Sequence, residues 1–262
     1  MCGIVAVVGK PCEGEWKETH ALLSELLVQS MERGVDATGF AAITSSLARP
    51  FNHRLITSKA PQPADEFVAT NPFWQHLKRM RCCSVIAHVR AATHGSPSDN
   101  NNNHPFLGRT QRHGGFSLVH NGVLSEPRET ADRLSLKLET DCDSELAEKI
   151  VSATGDFALG LHKCLTELKG SMALVLVEHR TGTIWAVRDW GRPLWIAKLR
   201  DGRRTILCST PQIMTRAIEK TLGKFHSHVE SMFPLAAGFV HAFTTDGRII
   251  APYVPAARLE AS

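Results

Sequence analysis

Apolar and β-branched residues fill positions 2–9 (CGIVAVVG) and Gly9 closes the run, which predicts a buried strand. From Glu15 to Arg33, Trp16, Leu22, Leu23, Leu26, Leu27 and Met31 recur at helical spacing, and Gly34 follows as a helix stop. The glycine-punctuated segment 33–39 reads as a loop, and Phe40–Thr44 and Arg54–Thr57 read as strands. Residues 59–72 carry no strong period and read as surface cover, while 72–80 predicts a short helix. The run CCSVIAHV at 82–89 is strand-like and delivers Arg90 to a polar loop over 90–113. A loop this long in a compact domain is usually functional or disordered. Its four asparagines, 100–103, read as plain surface. Phe116–His120 predicts a further strand, ended by the turn pair Asn121-Gly122.

Helical patterns follow at about 126–137, 143–153 and 156–168. Strand patterns then dominate, at 171–178, 183–188, 194–199 and 204–208, with hairpin turns at Thr181-Gly182, Asp201-Gly202 and Asp246-Gly247. A helix over 211–222 and strands over 238–244 and 248–251 complete the pattern. No linker, repeat or low-complexity tract interrupts it, so one domain is expected over 1–262. Strands, then helices, then strands point to an α+β layered sandwich instead of a doubly wound parallel sheet.

Composition narrows the class. Hydrophobic residues at 43% and charged residues at 21% are ordinary for a soluble globular protein. The net charge of +4 is mild and its lysines and arginines are scattered, so nucleic acid is not an expected partner. No apolar run approaches the roughly 20 residues that span a bilayer, and the amino terminus lacks the pattern of a signal peptide. Seven cysteines, an odd number with no Cys-x-x-Cys pair, favour reduced thiols, a cytoplasmic location and no structural metal.

The candidate chemistry begins at Cys2. A residue this small at position 2 permits removal of Met1, which leaves a thiol and a free α-amine on one residue. With reference pKa values of ~8.5 and ~7.7–8, the two can serve as nucleophile and base. Arg90 can present a planar fork to a carboxylate. Asn121 and Gly122 can aim an amide and a backbone N–H at a developing oxyanion. Asp143 can pair with an ammonium, so Arg90 and Asp143 together suit an amino acid. Singly each has a plainer account: Asn-Gly is a common hairpin pair, Asp143 can begin a helix, and Arg90 can be a surface ion pair.

Taken in order, MCGIV, RGVDATG (33–39), VRAATHG (89–95), NHP (103–105), HNG (120–122) and DSE (143–145) resemble the glutaminase domain of class II glutamine amidotransferases. These are N-terminal-nucleophile hydrolases. The resemblance covers about residues 2–146 closely and implies a four-layer αββα sandwich of two mostly antiparallel sheets between helices. It implies that Cys2 is the nucleophile, Asn121 and Gly122 the oxyanion hole, and Arg90 and Asp143 the clamps on the glutamine carboxylate and amine. Thr93 and His94 match pocket residues, and His104 matches a nearby family position. Ala91 stands where many relatives have Trp, and Val35, Ala37 and Thr38 depart from the common Tyr-Asp-Ser-Ala-Gly form of the early loop.

The function so implied is hydrolysis of the glutamine amide through a γ-glutamyl thioester. It needs no cofactor, and the ammonia goes to a separate synthase protein, since no pyrophosphate loop, phosphoribosyl site or Walker-type cradle follows. A stand-alone hydrolase of a γ-glutamyl amide, or an inactive glutamine-binding module, are the alternatives. A homo-oligomer is left open.

Overall fold

The computed structural model describes residues 2–9, 15–44 and 53–253. The first half runs β1 (Gly3–Gly9), α1 (Glu15–Gln29), β2 (Ala37–Thr44), β3 (Arg54–Ala60), α2 (Ala64–Thr70), α3 (Pro72–Leu77) and β4 (Cys82–Arg90). The middle comprises β5 (Phe106–Thr110), β6 (Gly114–Ser125), α4 (Pro127–Arg133), α5 (Ser144–Thr154) and α6 (Phe157–Glu167). Next come β7 (Lys169–Glu178), β8 (Ile184–Arg188), β9 (Trp195–Leu199), β10 (Arg204–Cys208) and α7 (Pro211–Thr221). Helix α8 (Phe225–His228) and strands β11 (Val229–Pro234), β12 (Val240–Phe243) and β13 (Ile249–Tyr253) finish the described chain.

The strands form two sheets, in the orders β11-β9-β10-β1-β4-β2-β3 and β13-β12-β8-β7-β6-β5, and the pairings are antiparallel. Strand alternation assigns each side chain to a layer. On β1, Val5 and Val7 face a helical layer with Leu22, Leu23, Leu26 and Leu27 of α1 and Ile213 and Met214 of α7. Ile4, Ala6 and Val8 face the other way, onto Val119 of β6 and Ala173, Val175 and Val177 of β7. The second sheet turns Leu118, Leu174 and Leu176 outward onto Leu146 and Ile150 of α5 and Leu161 of α6. Three apolar seams thus separate four layers, αββα. Both faces of β1 are covered, which is why its sequence is apolar throughout instead of alternating.

Several elements differ from the sequence reading. The surface cover expected over 59–72 contains α2, whose Ala64 and Phe67 are buried; seven residues are too few for a helical period to stand out. The expected loop 90–113 contains β5, an edge strand pairing Phe106 with Leu118 and Thr110 with Gly114. Strand β2 begins at Ala37, inside the expected glycine loop, because Ala37 and Thr38 pair with Arg90 and Val89. Asn121-Gly122 is not a turn: β6 runs through it to Ser125, with Asn121 opposite Ala173 and Gly122 opposite Met172. No room exists for a side chain at Gly122, where a Cβ would meet the Ser171 carbonyl. Edge strand β11 and the one-turn α8 carry too little apolar pattern to be read beforehand. The three hairpin glycines, 182, 202 and 247, do adopt positive φ (73°, 67° and 85°).

Leu26 is fully buried against the first sheet, whereas Phe73 on α3 is 54% exposed. Leu26→Ala is expected to cost roughly 2–5 kcal/mol and Phe73→Ala within about 0.5 kcal/mol, read from urea unfolding midpoints.

Candidate functional site

The alternation that builds the core also aims the candidate residues. Cys2 precedes β1 with the parity of Ile4, so its side chain lies on the inner side of the first sheet. Asn121 shares the parity of Val119 and faces it from the second sheet. Ser209, just past β10, bridges them: its Oγ accepts from the Ile4 N–H at 2.8 Å and receives the Asn121 Nδ2 at 3.4 Å. The Ser209 N–H donates to the Ile4 carbonyl at 3.1 Å. Asn121 is buried, and its Oδ1 has no hydrogen-bond partner.

Cys2 is half-buried and its Sγ–H donates to the Ala91 carbonyl at 3.5 Å. Burial pushes the thiol above its ordinary pKa, while the Arg90 charge opposes the shift. Arg90 ends β4 on the inner face and is itself buried. Its fork does not stand open: Nη1 donates to Asn103 Oδ1 at 2.8 Å, and Nη2 donates to the carbonyls of His94 and of Gly95, the latter at 2.9 Å. Three of its five donors therefore hold its own loop in shape, which leaves two for a ligand. The asparagine run read as plain surface is corrected. Asn102 and Asn103 are buried; Asn102 Nδ2 donates to the Ser96 carbonyl at 3.1 Å, and its Oδ1 accepts from the Asp141 N–H at 3.0 Å. Buried amides in a loop pair with backbone because no water is there to do so.

The early glycine segment locks the same loop from below. Asp36 N–H donates to the Arg90 carbonyl at 2.9 Å and Asp36 Oδ2 accepts from the Ala92 N–H at 2.8 Å. Gly34 is required there, since a Cβ would strike the Arg90–Ala91 peptide. Across the cleft, Asp143 immediately precedes α5 and is buried. It does not cap its helix; Oδ2 accepts the Leu124 N–H of β6 at 2.7 Å and lies 3.8 Å from His94 Nδ1. Close contacts link Cys2 to Ala91, His94 to Asp143, Asp143 to Leu124, and Asn121 through Ser209 to Ile4, and short stretches of chain join these links into a circuit. Of the predicted set, Cys2, Arg90, His94, Asn121, Gly122 and Asp143 belong to this circuit or adjoin it. Thr93 is on the loop and solvent-exposed.

His104 lies deeper, behind the loop. Its ring packs on His88 at 4.0 Å between centroids, the planes tilted by 36°, and neither ring nitrogen has a hydrogen-bond partner. It forms no circuit contact. His88 Nε2 reaches the His120 carbonyl at 2.9 Å, and His120 Nδ1 meets Ser144 Oγ at 2.8 Å. Burial pushes all three imidazoles down, His88 to about 3 and His104 well below its ordinary value. No group of three metal-ligating side chains occurs among the described residues. The sequence reading missed Ser209, Asn102, Asn103 and Arg33, whose Nε donates to the Cys2 carbonyl at 2.7 Å. Only Arg33 and Asn103 carried a signal, as members of the quoted motifs.

Residues 88–216 match a family model described as a glutamine amidotransferase domain. The isomerizing glutamine–fructose-6-phosphate aminotransferase of Aquifex aeolicus is 29% identical over 224 residues, which cover 82% of this chain and 33% of that protein. Its counterpart in Rhizobium meliloti is 30% identical over 210 residues, covering 75% of this chain and 30% of that one. The chain carries a class II glutamine amidotransferase domain. Its fold is shared with the glutamine phosphoribosylpyrophosphate amidotransferase of B. subtilis, at a TM-score of 0.68 and 21% identity over 95% of this chain and 49% of that one. A second structure, an allosteric regulatory enzyme of purine biosynthesis, superposes equally, at 22% identity. The amidotransferase domain spans about a third of the length of the curated relatives it matches. No helix among the described residues is long and apolar enough to cross a membrane.

The buried imidazoles set a pH dependence on the amidotransferase domain. His88 takes up its proton near 6.5 when unfolded but only near about 3 when folded, so its contribution is intact above ~6.5 and is lost as pH falls toward 3. Urea midpoints are expected to drop across that window, with His88 alone contributing up to ~1.4 kcal/mol per pH unit.

Proposed function

We propose that this domain hydrolyses the side-chain amide of glutamine, with Cys2, freed of Met1, as nucleophile. The observation that carries the reading is that Ser209 ties the Asn121 amide to the start of β1, two residues from Cys2, while Cys2 meets the Arg90 loop at Ala91 and Asp143 lies beside His94 of that loop. Met1 itself lies outside the described residues.

In this reading the Cys2 thiol proton passes to its own α-amine and the sulfur attacks the amide carbon. Asn121 Nδ2 and the Gly122 N–H receive the oxyanion; the long 3.4 Å contact of Asn121 to Ser209 is one that a charged oxygen can outcompete. The carbon–nitrogen bond then breaks as the ammonium returns its proton, releasing ammonia. Water hydrolyses the thioester to glutamate and restores the thiol. Asp143 takes the substrate ammonium, beside His94. The remaining Arg90 donors take the carboxylate, with Thr93 on the rim of the pocket. His104 acts from behind, by packing on His88 under the loop. The ammonia passes to a synthase centre as acceptor, and the domain works in the cytoplasm without a cofactor.

Intact mass before and after a glutamine-like diazoketone, with ammonia release followed in parallel, tests the reading. Expected are a chain lacking Met1, one adduct at Cys2 and glutamine-dependent ammonia, all lost in Cys2→Ala; retained Met1 with no adduct and no ammonia would overturn it. Asn121→Ala should slow turnover by ~100- to 1,000-fold with Cys2 still accessible to a small thiol reagent.

A further inference from the structure

Arg33 ends the 3-10 turn that follows α1 and is only 9% exposed. Its Nε donates to the Cys2 carbonyl at 2.7 Å, while its Nη2 is buried with no hydrogen-bond partner. An unpaired buried guanidinium nitrogen is costly, and such groups ask for an explanation.

We propose that Arg33 is a positioning residue that fixes the Cys2 backbone and keeps the α-amine uncovered by loss of Met1 in its unprotonated, base-competent form. This rests on the proposed role of Cys2 as an amino-terminal nucleophile. The hydrogen bond to the carbonyl of the same residue leaves the amine little freedom to swing away from the thiol. A guanidinium stays charged at neutral pH, so its proximity disfavours a second cation, the ammonium, and leaves the amine free to accept the thiol proton.

The charges around this pair decide the sign. Arg90 of β4 and Arg192, in the loop after β8, add positive potential toward Cys2 and Arg33 respectively. Glu32, next to Arg33, is drawn away by Arg216 of α7 at 2.6 Å. The Cys208 thiol of β10 faces Arg33 but is pushed up to about 11 by burial, so it is neutral near pH 7. Asp143 is the opposing carboxylate near Cys2, and its Oδ2 is engaged by the Leu124 N–H. Three guanidiniums, Arg33, Arg90 and Arg192, stand against two carboxylates that already have partners, Asp143 and Glu32, and the balance holds the ammonium form down.

The test is the pH profile of glutamine-dependent ammonia release for mature wild type, Arg33→Gln and Arg33→Lys. Arg33→Gln should move the acid limb of kcat upward by about one pH unit and lower kcat at pH 7, with KM for glutamine nearly unchanged. Arg33→Lys should return the limb toward wild type. An unmoved limb in an active Arg33→Gln protein, or an effect confined to KM, would overturn the role of Arg33 and leave that of Cys2 standing. Inactive, unlabelled wild type would overturn both. Should Arg33→Gln fail to fold, reductive methylation of the terminal amine in Cys2→Ala, read by mass against pH, replaces it. A midpoint below the ordinary ~7.7–8 supports the proposal, and one at or above that range overturns it.

Discussion

Everything at this site depends on two sheets packed face to face with fixed parity. A strand offers alternate side chains to opposite faces, so once Ile4, Ala6 and Val8 are buried against Val119 and Val175, Cys2 and Asn121 must point into the same gap. A one-residue slip of either strand would turn both the apolar residues and the reactive ones to the wrong side. The apolar seam is therefore what sets the register of the chemistry. Ser209 adds directionality to that register, linking the start of β1 to the Asn121 amide through one hydroxyl.

The substrate side is built on a different principle. The Arg90 loop has little apolar content and is held by three buried polar side chains, Arg90, Asn102 and Asn103, with the exposed Asp36 clamp added from outside. The buried three satisfy backbone carbonyls from within the loop. A network of this kind gives a loop one shape without a core, with Thr93 exposed and His94 partly so. Its cost is visible nearby in polar atoms left without partners, on His94, His104, Arg33 and Asn121. They gather around the proposed site, where ligand or water can supply what the protein does not.

The histidines behind the loop show how burial sets protonation. Burial favours the neutral ring in His88, His104 and His120; nearby cations add to it for the first two, Arg90 for both and Lys59 for His104, whereas at His120 burial prevails over the opposing Asp143 carboxylate. Neutral imidazoles can pack as weakly polar groups between sheets, as the tilted His88–His104 pair does.

The sequence by itself determined the long, periodic and fully buried elements, because an apolar face leaves a direct trace in residue order. β1, α1, β4, β7 and α5–α7 belong to this class. It also singled out the candidate residues of the proposed site, since a thiol at position 2 and an Asn-Gly pair after an apolar run are local facts. Tertiary structure alone decided the rest. Short α2 and edge strands β5 and β11 are stabilised by what they pack or pair against, not by their own composition. Asn121-Gly122 has turn chemistry but lies in mid-strand, because pairing with β7 outweighs local preference. Ser209, the buried asparagines and the Arg33 contact to Cys2 acquire meaning only from partners up to 205 residues away in the chain. A local pattern cannot encode such pairings, because they exist only once the two sheets have met.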